Sequence, residues 1–194
     1  MRTATIDRKT FETEIRVNLN IDGKGNKKIN TGIRFFDHML EQFAAHGHFD
    51  LEIEVNSLDK DLHHIIEDVA ITIGEAFKKA LGDKKGIYRY GYTLIPMDEA
   101  LTLTSIDLSG RPYCNYDVQI KEEKTSDFDT ILVKHFLSSF AVASLSTVHI
   151  KLMYGEDTHH IIESIFKSFA RALRQASDIN AEYKDITPST KGIL

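Results

Sequence analysis

The sequence has a single cysteine, Cys114, no excess of basic residues and no long apolar run. One cysteine excludes an intrachain disulfide and fits a reducing, cytoplasmic compartment. The net charge of −5, with a pI near 6.0, argues against general binding to nucleic acid or to an anionic membrane, because no basic excess is available to displace counterions. No segment reaches the ~20 apolar residues that a membrane helix needs, and residues 1–10 lack the apolar run of a secretory signal.

Histidine, by contrast, is abundant, with nine among the 194 residues. Four of them lie in a five-residue string that occurs twice, as His63-His64-Ile65-Ile66-Glu67 and as His159-His160-Ile161-Ile162-Glu163. The first histidine lies four residues before the glutamate, and the second lies three residues before it. On a helix, these spacings place the imidazole and carboxylate groups on the same face. Such groups are ligands for divalent transition metals. Solvated surface histidines are the alternative for either copy, but the repetition favours metal binding.

The elements around the two strings also repeat, as the apolar periodicity shows. In the first half we predict a strand over 13–21, a turn over 22–26 that leads to a second strand, a helix over 32–46, a strand over 51–55 and a helix over 63–81 that Asp61 caps. In the second half we predict strands over 101–108 and 113–120, a charged loop over 121–129, a helix over 131–145, a strand over 148–152 and a last long helix that Thr158 caps.

A shift of 97 residues places His135 of the second half on His38 of the first. The sequence therefore predicts one α+β domain over residues 1–194, made of two half-domains at about 1–90 and 91–187. A pseudo-twofold axis relates the halves, and the helices pack between two sheets. Residues 188–194 are too small and polar for a core, and we assign them to a C-terminal tail.

Two motifs imply two metal ions, and each half offers a further histidine from its first helix. Three neutral imidazoles and one carboxylate leave coordination positions open for substrate or water, as in a catalytic site. These ligand types allow Mn, Fe, Co, Ni or Zn and do not choose between them. Symmetry suggests one set of His38, His63, Glu67 and His160, and a second set of His135, His159, Glu163 and His64.

Further motifs stand in order along the whole chain. They are Arg8-x-Thr-Phe-Glu-Thr13, Thr31-Gly-Ile-Arg-Phe-Phe-Asp-His-Met39, His63-His-x-x-Glu-Asp68, Pro96-Met-Asp-Glu-Ala-Leu101, Asp107-Leu-Ser-Gly-Arg-Pro112, Gly155-x-x-x-His-His-x-x-Glu163 with Phe166-Lys167, and Ser189-Thr-Lys-Gly192. In this order they resemble the imidazoleglycerol-phosphate dehydratase family. Two positions depart from the family pattern: Asp157 stands where Asn is usual, and Leu62 where an acidic residue is common.

The resemblance implies a duplicated α+β fold similar to the second domain of ribosomal protein S5. It also implies two Mn ions per active site, and trimers that assemble into a 24-subunit shell with metal sites at subunit contacts. The implied reaction is dehydration of D-erythro-imidazole glycerol phosphate to imidazole acetol phosphate in histidine biosynthesis. The ligand sets would then be shared between chains.

The resemblance also implies roles for single residues. With both ring nitrogens on metal, the substrate ring becomes an imidazolate whose charge helps to expel hydroxide. A carboxylate must then move the second proton, and Glu12 is the candidate. For Asp98 and Glu99 the residues themselves define no role in the chemistry, and we expect a structural role at a turn or strand end. The implied substrate contacts are Glu12 and the phosphate-binding Arg89, Arg111, Ser189 and Lys191, together with Gln42, His46 and Lys167.

Two other functions use the same residues. A two-metal phosphoesterase would generate hydroxide on the metals, but such sites usually contain bridging aspartates, and the chain has no Asp pair at ligand spacing. A non-catalytic metal-storage or shell protein would need no phosphate-binding residues. Release of free phosphate instead of a ketone distinguishes the first alternative, and binding of a phosphorylated imidazole diol excludes the second.

Overall fold

The computed structural model describes residues 1–194. The strands are β1 (Thr3–Lys9), β2 (Thr13–Asn20), β3 (Lys27–Asn30), β4 (Asp50–Ser57), β5 (Tyr90–Met97), β6 (Ala100–Asp107), β7 (Tyr113–Asp117), β8 (Lys124–Thr125), β9 (Phe128–Asp129) and β10 (Thr147–Tyr154). The helices are α1 (Arg34–Gly47), α2 (Leu62–Leu81), α3 (Leu132–Ser144) and α4 (Thr158–Ser177), followed by a 3₁₀ turn (Ala181–Tyr183). None of the helices is both long and apolar enough to cross a membrane.

The two large sheets have the same topology. Their strand orders are β1-β2-β4-β3 and β5-β6-β10-β7, each with an antiparallel hairpin at one edge and a parallel pair at the other. The predicted α+β fold with an internal duplication is therefore confirmed. The segment predicted as a charged loop contains a small hairpin of β8 and β9.

The helices lie between the sheets and join the two halves. Helix α2 packs on β1 and β2, and α4 packs on β5 and β6. Across the middle, α1 packs against α4 and α2 against α3, so each helix pair combines one helix from each half. Aromatic rings fill these contacts, with Phe43 5.7 Å from Phe169 and Phe77 5.9 Å from Phe140. One cluster of 46 buried apolar residues runs through both halves, so neither half has a core of its own.

Two strands of the large sheets were not predicted, and one predicted helix cap is wrong. The missed strands, β1 and β5, are both sheet edges. Strand β5 contains Gly91 and Pro96, which weaken a strand prediction but are tolerated at an edge. The prediction that Thr158 caps α4 is wrong, because the Asp157 side chain accepts the hydrogen bond from the His160 N–H at 3.0 Å. Thr158 is instead the first helical residue, and its hydroxyl donates to Glu122.

Gly74 sets the distance between α2 and α3, and its substitution is the first prediction. A Cβ at this position would lie 2.8 Å from the Ala143 Cβ and 2.9 Å from the Phe140 carbonyl oxygen. We expect Gly74→Ala to destabilise the protein, because overpacking of about 1–3 kcal/mol outweighs the gain in helix propensity. Denaturant unfolding measures the change, with the exposed neighbour Glu75→Ala as the control. A Gly74→Ala variant as stable as its parent would contradict this packing.

Candidate active site

Three of the predicted metal-ligand side chains converge where α1 meets the N-terminal end of α4. The Glu163 Oε2 lies 3.4 Å from the His38 Nε2 and 3.0 Å from the His159 Nε2, and the two rings are 5.6 Å apart. The glutamate is buried, whereas both imidazoles are about 40% exposed. The donor atoms of all three lie within 4.8 Å of one another. We call His38, His159 and Glu163 the first cluster; its donors are the nitrogen and oxygen types that transition metals bind.

A second cluster lies at the equivalent place between α2 and α3. The His63 ring is 4.6 Å from the His135 ring, and the His63 Nε2 is 3.6 Å from the Glu67 Oε2. Both His63 and Glu67 are more than 40% exposed. We call His63, Glu67 and His135 the second cluster. It reproduces the donor types of the first cluster, with a looser and more open carboxylate.

The predicted grouping of the ligands is wrong within the chain. It placed His38 with His63 and Glu67, but the structure places His38 with the motif of the other half. The reason is the packing of the helices, because α1 lies against α4 and α3 lies against α2. Each motif therefore meets the first-helix histidine of the opposite half.

The second histidine of each motif is not part of either cluster and is hydrogen-bonded to an acidic side chain. The His64 Nδ1 lies 2.6 Å from the Asp59 Oδ2, and the His160 Nδ1 lies 2.7 Å from the Glu99 Oε2. These hydrogen bonds raise the pKa of both histidines. Backbone N–H donation from Asp157, together with His160, lowers the pKa of Glu99 to about 2. Glu99 is thus a firm carboxylate partner for the ring.

Glu12 lies beside His64, with its Oε1 3.6 Å from the Nε2. Its hairpin is fastened to α2 by the buried Asp68. That carboxylate accepts hydrogen bonds from the Arg8 Nε at 3.0 Å and the Thr13 hydroxyl at 2.5 Å. Glu12 is therefore a half-exposed carboxylate on a fixed hairpin, while the Asp68 carboxylate is occupied by side chains of that hairpin.

The predicted phosphate-binding residues meet at the far ends of α2 and α4. Asp107 holds Arg89 by two hydrogen bonds of 2.7 and 3.1 Å, and Arg111 approaches the same carboxylate at 3.9 Å. The Arg89 Nη1 also donates to the Pro188 carbonyl oxygen at 2.9 Å, which fixes the start of the tail. We call Arg89, Asp107, Arg111 and residues 188–194 the arginine corner. It includes Ser189 and Lys191, whose N–H donates to the Ser189 hydroxyl at 3.2 Å.

The remaining predicted substrate contacts lie along the groove between α1 and α4. The Gln42 Nε2 is 3.5 Å from the His38 Nδ1. Lys167 is nearly buried and binds the Glu163 Oε1 at 2.7 Å, which leaves Oε2 for the two imidazoles. Burial, and then Lys167 and Arg171, lower the pKa of His46. A cavity of about 350 Å³ continues from His46 toward Arg171 but includes neither cluster.

Both clusters lie far from the arginine corner of the same chain. The Arg89 N–H donates to the Ala176 carbonyl, thirteen residues after Glu163, which is about 20 Å along α4. The Lys84 Nζ, just beyond the end of α2, donates to the Leu108 carbonyl at 3.0 Å, so Glu67 is similarly distant. A small phosphorylated imidazole is at most about 10 Å long by ordinary bond lengths. One such substrate cannot contact a cluster and the arginine corner of a single chain.

The sequence alone did not predict that four acidic residues of the site support its functional side chains. Asp68 follows Glu67 directly, and Glu99 and Asp107 lie inside motifs that carry the family resemblance, so each had a signal in the sequence. Asp59 had none, because a single aspartate in a loop resembles any solvated charge. Each of the four carboxylates binds a side chain and thereby positions a predicted functional residue.

Comparisons with known proteins show which family the sequence and the fold match. A family model described as imidazoleglycerol-phosphate dehydratase matches residues 31–173. Relatives with that name from Caldanaerobacter subterraneus subsp. tengcongensis and Clostridium kluyveri are 52% and 49% identical over 195 residues, covering 100% of both chains. The crystal structure of the Pyrococcus furiosus enzyme in complex with (S)-C348 has a TM-score of 0.84 at 38% identity, covering 97% of this chain and 100% of that one. The Staphylococcus aureus structure has a TM-score of 0.83 at 37% identity, covering 92% and 99%.

Proposed function

The chain belongs to the imidazoleglycerol-phosphate dehydratase family, and we propose that its two histidine clusters hold the metal ions that this dehydration uses. It is a hydro-lyase that converts imidazole glycerol phosphate to imidazole acetol phosphate and water in histidine biosynthesis. The observation that supports the metal proposal is the convergence of His38, His159 and Glu163 on one point. We also place the protein in the cytoplasm, where a lone cysteine stays reduced.

The donor sets fit two divalent transition-metal cations, for which we propose Mn²⁺, and each would be held by one cluster. His38, His159 and Glu163 would bind one ion, and His63, His135 and Glu67 the other. Bound in this way, the cations would act as Lewis acids on the imidazole ring of the substrate and template its position. Lys167 keeps the Glu163 carboxylate ionised and directed at the imidazoles, since its ammonium occupies the other oxygen.

His64 and His160 are not members of their own chain's clusters, and each has its Nδ1 held by a carboxylate. This arrangement suits a ligand given to the cluster of another subunit, because the carboxylate leaves Nε2 as the coordinating atom. The separation of about 20 Å between the clusters and the arginine corner leads to the same conclusion. We propose that active sites form only at subunit contacts, in trimers that assemble into a 24-subunit shell.

Within such a site, Glu12 moves the proton and the arginine corner binds the phosphate. The reaction needs proton removal from a weakly acidic carbon next to the departing hydroxyl, and a half-exposed carboxylate on a rigid hairpin suits that role. Arg111 and Lys191 are exposed cations, free to bind a phosphate that Arg89, tied to Asp107, helps to position. Gln42 and His46 line the groove on the side of the first cluster.

A two-metal phosphoesterase remains the alternative, and the nature of the product decides between the two. We expect the purified protein to form a ketone from imidazole glycerol phosphate without releasing inorganic phosphate. Removal of metal by a chelator should abolish the activity, and added Mn²⁺ should restore it. Phosphate release in step with substrate loss would support the esterase. Full activity in protein shown by elemental analysis to contain no metal would refute the metal proposal.

A further inference from the structure

Glu12 and Glu99 occupy equivalent positions in the two halves. Strand β2 pairs Ile15 with Val55, and β6 pairs Thr102 with Leu152, the residue that the repeat equates with Val55. Ile15 and Thr102 are therefore equivalent residues, and they are 87 residues apart. Glu12 and Glu99 are also 87 residues apart, so they are equivalent as well. Each glutamate directly precedes the second strand of its hairpin.

The two glutamates nevertheless make different contacts. The Glu99 Oε1 accepts hydrogen bonds from the N–H groups of Glu156 and Asp157 at 3.1 and 2.7 Å, while its Oε2 lies 2.7 Å from the His160 Nδ1. Glu12 approaches the Nε2 of His64, the opposite ring nitrogen, at only 3.6 Å.

In the first half, Asp59 makes the contacts with histidine and backbone that Glu99 makes in the second half. The Asp59 Oδ1 accepts the N–H of Asp61 at 3.0 Å, and its Oδ2 lies 2.6 Å from the His64 Nδ1. Each carboxylate thus uses one oxygen to bind backbone at the start of a long helix and the other to bind an imidazole. The two arrangements are chemically the same, although the acids come from different loops.

We propose that Glu99 and Asp59 are positioning residues that hold His160 and His64 in the tautomer with the proton on Nδ1, which leaves each Nε2 as a metal ligand. The inference rests on the proposed function, in which both histidines bind metal. Carboxylates in this position commonly orient metal-binding histidines in proteins. Because Asp59 holds His64, Glu12 is released from the structural role of its counterpart and is available for proton transfer.

Substitution of the carboxylate by its amide tests the tautomer directly. In Glu99→Gln the amide oxygen should keep the two backbone N–H donors, so the NH₂ group faces the His160 Nδ1. That nitrogen must then accept a hydrogen bond, and the ring proton moves to Nε2, where it blocks metal binding. Asp59→Asn should act on His64 in the same way. The side chains change little in size, so packing is preserved.

The experiment is a Mn²⁺ titration of the assembled protein, with free Mn²⁺ measured by electron paramagnetic resonance. We expect two sites per chain in the parent. In Glu99→Gln and in Asp59→Asn, one site should weaken by about 10- to 100-fold while the other keeps its Kd, and the double variant should lose both. Two controls should keep both sites: Glu12→Gln, at the equivalent hairpin position, and Asp157→Asn, which preserves the cap of α4 without touching the His160 ring.

The results of the Mn²⁺ titration distinguish failure of the tautomer inference from failure of the proposed metal function. If the parent binds Mn²⁺ at two sites and Glu99→Gln binds it at both sites with the parent Kd, the inference is wrong but the metal proposal stands. The same holds if the loss in Glu12→Gln equals that in Glu99→Gln. A parent that binds fewer than two Mn²⁺ would overturn the metal proposal and the inference with it. If Glu99→Gln does not assemble, as judged by sizing and circular dichroism, Asp59→Asn tests the same assignment on the other histidine.

Discussion

Glu12→Gln should lose turnover by about 10²- to 10⁴-fold, the range expected for removal of a general acid–base group. The amide is nearly isosteric with the carboxylate but cannot take up a proton at neutral pH. The hairpin should not move, because Asp68 holds it through Arg8 and Thr13 and not through Glu12. His64 keeps its partner Asp59, so metal binding should also be retained. The loss should therefore fall on kcat.

Steady-state kinetics and Mn²⁺ titration together check this expectation. The matched control is Glu14→Gln, two residues along the same chain, whose side chain binds Lys9 and Asn56 on the outer face of the sheet. The control should keep the parent kcat. A Glu12→Gln enzyme with near-parental kcat would show that another group moves the proton. One that lost kcat together with a metal ion would show that Glu12 serves the metal site.

The sequence was informative about each helix taken singly and silent about which helices touch. Apolar periodicity located α1 and α2 to within two residues, and Asp61 caps α2 as predicted, with its side chain accepting the His63 N–H at 2.8 Å. Periodicity identifies the buried face of a helix but not the helix that covers it. The symmetry argument grouped each first-helix histidine with the glutamate of its own half, and within the chain that grouping is wrong. The exchange of helix partners is a long-range packing outcome with no local signal.

The supporting acids show a second limit of sequence reasoning. The sequence contains 29 aspartates and glutamates, and nothing local distinguishes a carboxylate that holds a histidine from one that faces water. Glu99 was expected to have a structural role at a turn or strand end, and it does bind backbone, but its second oxygen reaches His160 from 61 residues away. Only the meeting of the β5–β6 hairpin with the start of α4 reveals that contact.

Two inactive variants should restore activity when they assemble together. Glu163→Gln damages the first cluster and leaves the arginine corner intact. The double variant Arg111→Ala/Lys191→Ala removes two exposed cations from the corner and leaves the clusters intact. Each charged contact is worth about 1.5–3 kcal/mol, so the double variant should lose about 10²- to 10⁴-fold in kcat/KM. Because a cluster and a corner of one chain are about 20 Å apart along α4, a working site must combine two chains.

The expected activity of the mixed assembly follows from random mixing of the two chains. In a symmetric assembly of equal amounts of the two chains, about one quarter of the sites draw an intact cluster from one variant and an intact corner from the other. Co-expression with two affinity tags, followed by tandem purification, isolates the mixed assembly for assay against each variant alone. A site contained in one chain would recover nothing, since every chain carries one defect. Recovery near a quarter of the parent activity therefore requires that different subunits supply the cluster and the corner to each substrate.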